Sequence, residues 1–429
     1  MTKTKESIIT GFALFSMFFG AGNLILPPYL GKLAGNEWLI VLLGFCITAV
    51  VIPILGIYAH AKLQGSMFDF AKLVSRKFSW VYCLIIYLIA ISLPLPRTAA
   101  VTHEISVLPL INLSSLTTSF LYFGLAFLVV INRSKLLNVL GKYLTPILLL
   151  ILSITIILGI INGSDPNLPN STIQGITSGI LEGYQTFDAI GAVVSGGILV
   201  VSLKLNTSTD YNHNKSIISR AGIIAGLGLI IFYGGLMFIG ASYSNQMNEA
   251  PTRTELLSQL SQTILGPIAN TFLSLLVGLA CFTTAVAIIA GTADFVQSCF
   301  SNSKLAFQIT TVLSCFIGII IGSFDVHHII TIAIPFLLIA YPVTITLIIL
   351  NCLPKDFITT PIFRITIGIC ILFTLADVIN HFEISPNLTS IFEYIPFSNN
   401  SLGWILPTVV AFVFAALISK RPKHVDQLK

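Results

Sequence analysis

The chain has 429 residues, 55% of them hydrophobic and only 9% charged, with a mean hydropathy of +0.93. A soluble domain carries about 25% charged residues, so this chain cannot cover its surface with charge and that surface must face lipid. The net charge of +5 is not a nucleic-acid signal, because the basic residues sort by loop, as described below.

A transmembrane helix needs about 20 mostly apolar residues. Twelve stretches qualify: roughly 10–31, 38–60, 78–102, 116–131, 139–161, 172–203, 217–240, 266–299, 304–322, 329–350, 364–381 and 402–420. They are too long and uninterrupted for barrel strands, which span about 10 alternating residues each. The fold class is therefore an all-α polytopic membrane protein with 12 transmembrane helices. Spans 6 and 8 exceed the bilayer requirement, which predicts tilt, extension or a break. The charged start, Met1 to Ser7, lacks a small-residue cleavage site after it and is read as leading into a retained first helix.

With the N-terminus in the cytoplasm, 19 Lys and Arg residues fall on inner segments and 2, Lys32 and Arg253, on outer ones. This asymmetry places both termini in the cytoplasm of a multi-pass cell-membrane protein. The remaining basic residue, Arg97, lies within span 3. The longest loop, about 241–265, has room for only a short interfacial helix. Seven scattered cysteines show neither metal nor redox spacing.

Span 1 reads FSMFFGAGNLILPPYLG over residues 15–31, with interruptions predicted at Gly20 and Gly22. Such a pair also serves close helix packing. Here Asn23 lies beside it, and Pro27 and Pro28 follow one turn later. Span 6 carries Gly183, then Gln185, Thr186, Phe187 and Asp188 near its centre. Paired interruptions in corresponding spans of two halves point to a transporter's midplane site. Spans 1 and 6 are five apart, which predicts inverted repeats over 10–161 (spans 1–5) and 172–350 (spans 6–10). Residues 364–420 would form accessory spans 11 and 12. Unwound backbone survives in lipid only where a cavity satisfies it. Half-helix N-termini suit a carboxylate, and freed carbonyls suit a small cation.

In span 8, Ala280 shares a helix face with Thr283 and Thr284. Two hydroxyls and one carbonyl without charge suit Na⁺ if span 1 adds carbonyls. Threonines in membranes also bond their own i−4 carbonyls. Asp188, Arg97, Glu182 and Asp377 are the notable charges in spans, and intramembrane charge marks function by default. Arg97 is read as a charge partner for a carboxylate such as Glu104, or as snorkelling. Asp377 is placed at the outer interface, and Glu182 near water.

The stretches FFGAGNLILPPYLG (18–31), LPRTAAVTHE (95–104), EGYQTFDAI (182–190) and LACFTTAVAIIAGTADF (279–295) resemble the signatures of the bacterial branched-chain amino acid:cation symporters, the LIVCS family. The resemblance covers essentially all the spans. It implies membership of the amino acid–polyamine–cation superfamily, the five-plus-five inverted-repeat fold with discontinuous helices 1 and 6, and inward transport of Leu, Ile and Val with Na⁺. It places the substrate at Phe18, Gly20, Ala21, Gly22 and Asn23 and at Gln185, Thr186, Phe187 and Asp188. It places Na⁺ at Ser16, Phe19, Ala280, Thr283 and Thr284. A second Na⁺ in some relatives would use Asn23, the carbonyl of Phe18 and Thr186. Asp188 is acidic where the two-sodium relatives are not, so H⁺ coupling through Asp188 stays open. No cofactor, nucleic acid or protein partner is implied. An intramembrane enzyme lacks its motifs here, with no HExxH, GxSxG or nucleotide loop. A channel lacks a repeated filter sequence.

Overall fold

The computed structural model describes residues 3–132, 140–162, 168–173, 175–206, 211–246, 251–382 and 395–419. Of the basic residues in the charge argument, Arg133, Lys135, Lys420, Arg421, Lys423 and Lys429 lie outside these. So do residue 139 of span 5, residue 174 of span 6, residue 420 of span 12 and part of the long loop.

The described residues are helical almost throughout. Span 1 forms α1 (Lys3–Phe18) and α2 (Ala21–Ala34), separated at Phe19–Gly20. Span 2 forms α3 (Trp38–Cys46) and α4 (Ile52–Leu63), joined through a π-helical turn at Ile47–Val51. Span 3 forms α5 (Arg76–Ser92) and α6 (Pro94–Val101), continued by a π-helical stretch to Val107. Then come α7 (Ser115–Ile131) and α8 (Thr145–Ile161). Span 6 forms α9 (Gly175–Tyr184) and α10 (Asp188–Asn206), with residues 185–187 between them. The chain continues through α11 (Tyr211–Ser242), α12 (Arg253–Leu265), α13 (Ala269–Cys299) and α14 (Lys304–Ile321). It ends in α15 (Val326–Cys352), α16 (Thr360–His381) and α17 (Ile405–Ser419).

Among the described residues, eight helical runs are long and apolar enough to cross a membrane. Two shorter apolar helices, α7 and α17, join them. One run, Ala21–Leu63, takes in the second half of span 1 and all of span 2. Helix α13 is unbroken over 31 residues. At 1.5 Å per residue it is about 46 Å long, so it tilts or projects beyond a hydrocarbon core of about 30 Å. The long loop contains α12, whose Thr252 accepts from the Glu255 N–H while Glu255 accepts from the Thr252 N–H. Its Leu256, Leu257, Leu260 and Ile264 are buried, so it is docked rather than lying loose at the interface.

The chain divides into two compact units. One is Met1–Met67 with Ile85–Ala333, and the other is Phe68–Leu84 with Ile334–Lys429. In the second unit, Tyr82 donates to Thr344 at 3.0 Å and Asn351 donates to the Phe70 carbonyl at 3.0 Å. Asp377 lies in the last turns of α16. It is buried and accepts from the Trp404 N–H at 3.0 Å. A carboxylate at the entry to α17 satisfies a backbone donor that lipid would leave unpaired.

In the first unit the two broken spans have reciprocal partners. Both halves of span 1 pack on α11 of span 7, and both halves of span 6 pack on span 2, α9 against α3 and α10 against α4. Helices α9 and α3 approach at backbone distance. A Cβ on Gly179 would collide with the Val41 carbonyl oxygen and lie 2.7 Å from the Phe45 nitrogen. The small residue is what permits this contact, as in other membrane helix pairs. Substituting Gly179→Val should therefore destabilise the protein by about 1–3 kcal/mol or more. The effect reads as a lowered Tm of the purified protein in detergent, and an unchanged Tm would contradict the close approach.

Candidate functional site

The break in span 1 follows from its backbone hydrogen bonds. The Phe19 N–H still reaches the Phe15 carbonyl at 2.7 Å, but the Gly20 N–H turns back to Phe18 at 2.8 Å. The carbonyls of Ser16 and Met17 thereby lose the helical partners they would find at Gly20 and Ala21. Threonine hydroxyls from α13 take their place. Thr283 donates to the Ser16 carbonyl at 2.8 Å and to its own-helix Ala280 carbonyl at 3.0 Å. Thr284 lies 3.4 Å from the Ser16 carbonyl and 3.1 Å from that of Met17. Five uncharged oxygens from two helices thus converge. Gly20 is needed here, since a Cβ would stand 2.6 Å from the Thr284 hydroxyl oxygen.

Of the residues predicted for the cation, Ser16, Ala280, Thr283 and Thr284 meet in this cluster. The Phe19 ring stacks on Phe15 at 5.1 Å and on Tyr233 at 6.0 Å. The Met17 carbonyl was missed, because which carbonyls are released depends on where the ladder parts.

Helix restarts at Ala21, so Gly22 does not lie in the break as expected. It occupies the first turn of α2, where a Cβ would stand 2.5 Å from Arg97 Nη2 and 3.2 Å from the Gln185 carbonyl oxygen. Its absent side chain lets span 3 and the second break approach the start of α2. Arg97 is buried in α6, and its guanidinium lies 5.1 Å from the Phe187 ring centre, a cation–π contact. It is buried rather than snorkelling, and Glu104 accepts from the Val326 N–H at 2.9 Å. Leu93 departs from helix just before Pro94, and this brings Arg97 inward. Pro94 and Pro96 were the sequence signal for that bend.

The second break spans Gln185, Thr186 and Phe187. Thr186 donates to the Gly183 carbonyl at 2.8 Å and accepts from the Asp188 N–H at 3.2 Å. Phe187 adopts a left-handed conformation, φ +63°. For a bulky side chain this costs on the order of 1–3 kcal/mol, and such strain gathers at functional sites. One turn earlier, Glu182 is not simply solvated. It receives Nη2 of Arg253 at 3.0 and 3.2 Å.

The two breaks are tied through Asn23. Its side-chain oxygen accepts from the Gly20 N–H at 3.4 Å, and its amide nitrogen donates to Asp188 Oδ2 at 2.6 Å. The same nitrogen contacts the hydroxyl of Tyr233, which in turn donates to Asp188 Oδ2 at 3.3 Å. Asn23, Asp188 and Tyr233 are all buried. Tyr233, on α11, escaped the sequence analysis, because a tyrosine in an apolar helix carries no distinguishing pattern.

Beside these groups lies a cavity of about 30 Å³. Both breaks line it with Met17, Phe18, Thr186, Phe187 and Asp188, and Thr284 completes its polar edge. Its apolar wall is Ala90, Pro94, Ile190, Val194, Ala287 and Ile288, none of which was predicted. That volume admits about a water molecule, well under the roughly 300–1,000 Å³ of small-molecule pockets.

Two broken spans crossing at a buried polar cluster, with half-helix ends and a cavity between them, define a polytopic membrane transporter. The solved structure of Mhp1, a nucleobase-cation-symport-1 family transporter in a closed conformation with bromovinylhydantoin bound, matches with a TM-score of 0.61 at 12% identity. The match covers 96% of this chain and 92% of that one, and it establishes a shared fold. Residues 3–422 match the family described as branched-chain amino acid transport protein, and the chain belongs to that family. It is 31% identical to the branched-chain amino acid permease BrnQ of Bacillus subtilis (strain 168), over 96% of each chain. It is 29% identical to the permease BraB of the same organism, over 97% of this chain and 96% of that relative. These relatives are transporters, and the chain is not an enzyme.

Removing one hydroxyl tests the link between the breaks. Tyr233→Phe leaves Asp188 and Asn23 with one fewer buried partner and should destabilise by about 1–3 kcal/mol. Thermal unfolding of the purified protein checks this, and an unshifted Tm would contradict it.

Proposed function

We propose that the chain imports Leu, Ile and Val across the cytoplasmic membrane by symport with Na⁺. In this reading it is a 12-helix member of the amino acid–polyamine–cation superfamily with both termini inside. Its inverted repeats are 10–161 and 172–350, and 364–420 is accessory. The observation that carries the proposal is the meeting of α1's released carbonyls with the Thr283 and Thr284 hydroxyls, at the edge of a cavity lined by both breaks. Reciprocal packing of spans 1 and 6 on spans 7 and 2 supports the repeats. The names of the relatives support the substrate class.

The substrate carboxylate takes the N-terminal end of α2 near Gly22 and Asn23, where partial positive charge and unpaired N–H groups favour an anion. Its ammonium group meets Asp188 and carbonyls near Phe18 and Phe187. Its aliphatic side chain lies against Ala90, Pro94, Ile190, Val194, Ala287 and Ile288. Each buried CH₂ favours binding by about 0.8 kcal/mol, so leucine exceeds alanine by roughly 2 kcal/mol. Since the cavity is water-sized, its walls part to admit leucine.

Na⁺ is a co-substrate. The Thr283 and Thr284 hydroxyls now donate to carbonyls, and rotating their protons away presents oxygen lone pairs to the ion. A neutral donor set suits one positive charge. Among the described residues, no group of three or more His, Cys, Asp or Glu is placed to hold a metal. The ion bridges α1 and α13 and favours the arrangement in which they touch. Coupling is that difference in affinity between conformations.

A second reading is H⁺ coupling. It rests on Asp188, a buried carboxylate bonded to the neutral donors Asn23 and Tyr233.

Thr284→Ala separates ion binding from substrate binding. It should raise the Na⁺ concentration for half-activation about tenfold, which corresponds to about 1.4 kcal/mol, with leucine recognition at saturating Na⁺ nearly unchanged. Na⁺-activation curves of leucine uptake read this directly. An unaltered curve would remove α13 from the ion site.

A further inference from the structure

Glycine inside a helix costs stability relative to alanine, so a glycine in the protein interior calls for a reason. Around the second break that reason is mostly packing. A Cβ on Gly183 would collide with the Thr48 hydroxyl oxygen, and one on Gly196 would collide with the His60 ring. Gly191, between them in the chain, is different. It lies in the first turns of α10, where its N–H donates to the Phe187 carbonyl at 2.7 Å. Its backbone is not left-handed. A Cβ built on it meets only the Phe18 ring, at 3.9 and 4.0 Å, which is ordinary contact distance. Neither backbone nor packing therefore excludes alanine there.

What distinguishes Gly191 is where it opens. Gly124 has open space beside it too, but on the exposed surface of α7. Gly191 opens onto the cavity at the breaks, and Phe18 lines the same cavity from the end of α1. The gap between the Phe18 ring and the α10 backbone is one methyl group wide.

The register of α10 decides what reaches that gap. Gly191 follows Asp188 by three residues, on the same helix face and about 4.5 Å further along the axis. Both line the cavity. With an ammonium group at Asp188, a side chain running along α10 meets Gly191 at the level of its γ-carbon. Leucine, isoleucine and valine carry carbon three bonds from nitrogen, whereas alanine ends two bonds away. We infer that Gly191 is a specificity-determining residue of this site: the gap between it and the Phe18 ring receives the branched part of the aliphatic side chain and separates leucine, isoleucine and valine from alanine. The inference rests on the reading of the breaks as the amino-acid site.

The test is uptake of radiolabelled leucine and, separately, alanine into proteoliposomes holding the purified full chain. Na⁺ and pH gradients are both imposed, so that the identity of the coupling ion does not decide the outcome. The ratio of kcat/KM for the two substrates does not depend on how much protein is folded. Gly191→Ala should lower the leucine-to-alanine ratio about tenfold or more, the usual effect of one methylene in an apolar pocket. Gly124→Ala, the same substitution on the surface, should leave the ratio as in wild type. A ratio unchanged in Gly191→Ala, or lowered equally in Gly124→Ala, would overturn the inference and leave the transport reading standing. Phe18→Leu widens the gap from the other side and should raise phenylalanine uptake relative to leucine several-fold. If Gly191→Ala takes up neither substrate, an unchanged phenylalanine-to-leucine ratio in Phe18→Leu would overturn the inference. Wild type that takes up neither leucine nor valine would overturn the transport reading and the inference with it.

Discussion

Hydrocarbon offers no partner for a backbone N–H or C=O, so a transmembrane helix that breaks must find substitutes within the protein. Here Asn23 supplies several at once. Its oxygen accepts from Gly20 at the gap in span 1, and its nitrogen reaches Asp188 at the gap in span 6. Tyr233 closes the triangle from α11. Without this cross-connection each gap would leave polar groups buried and unpaired, at about 1–3 kcal/mol apiece. The two breaks therefore depend on one another, and the site exists because they meet.

The surrounding helices are arranged to allow that meeting. Gly22 and Gly20 remove side chains where Arg97 and Thr284 approach. Gly179 lets α9 lie against the backbone of α3. Phe187 is held left-handed so that its ring lies by Arg97 and the chain can turn into Asp188. The released carbonyls of α1 then face α13, whose adjacent threonines are the side chains that engage them. An ion at that point acts on the contact between two helices, and this is what coupling by differential affinity requires.

Much of this was legible in the sequence because lipid makes polarity conspicuous. Asn23, Asp188, Arg97 and the Thr283–Thr284 pair stand out in apolar runs, and glycines flag the breaks. What was not legible depends on geometry finer than composition. The exact parting of the hydrogen-bond ladder decided that Met17 joins the oxygen cluster and that Gly22 belongs to α2. Tyr233 is amphipathic and unremarkable in an apolar helix until its hydroxyl is seen between Asn23 and Asp188. Position marked Asp377 as interfacial, but could not show that it receives the Trp404 N–H. The apolar wall of the cavity was invisible for the opposite reason, since alanine, valine and isoleucine are everywhere in such a chain.

The central claim is that cation binding between α1 and α13 drives amino-acid movement through the breaks. Uptake of radiolabelled leucine into proteoliposomes tests it most directly, with an imposed Na⁺ gradient in one arm and an imposed pH gradient in the other. The account predicts accumulation driven by the Na⁺ gradient alone. Accumulation driven by the pH gradient alone would contradict it and would assign the coupling to Asp188.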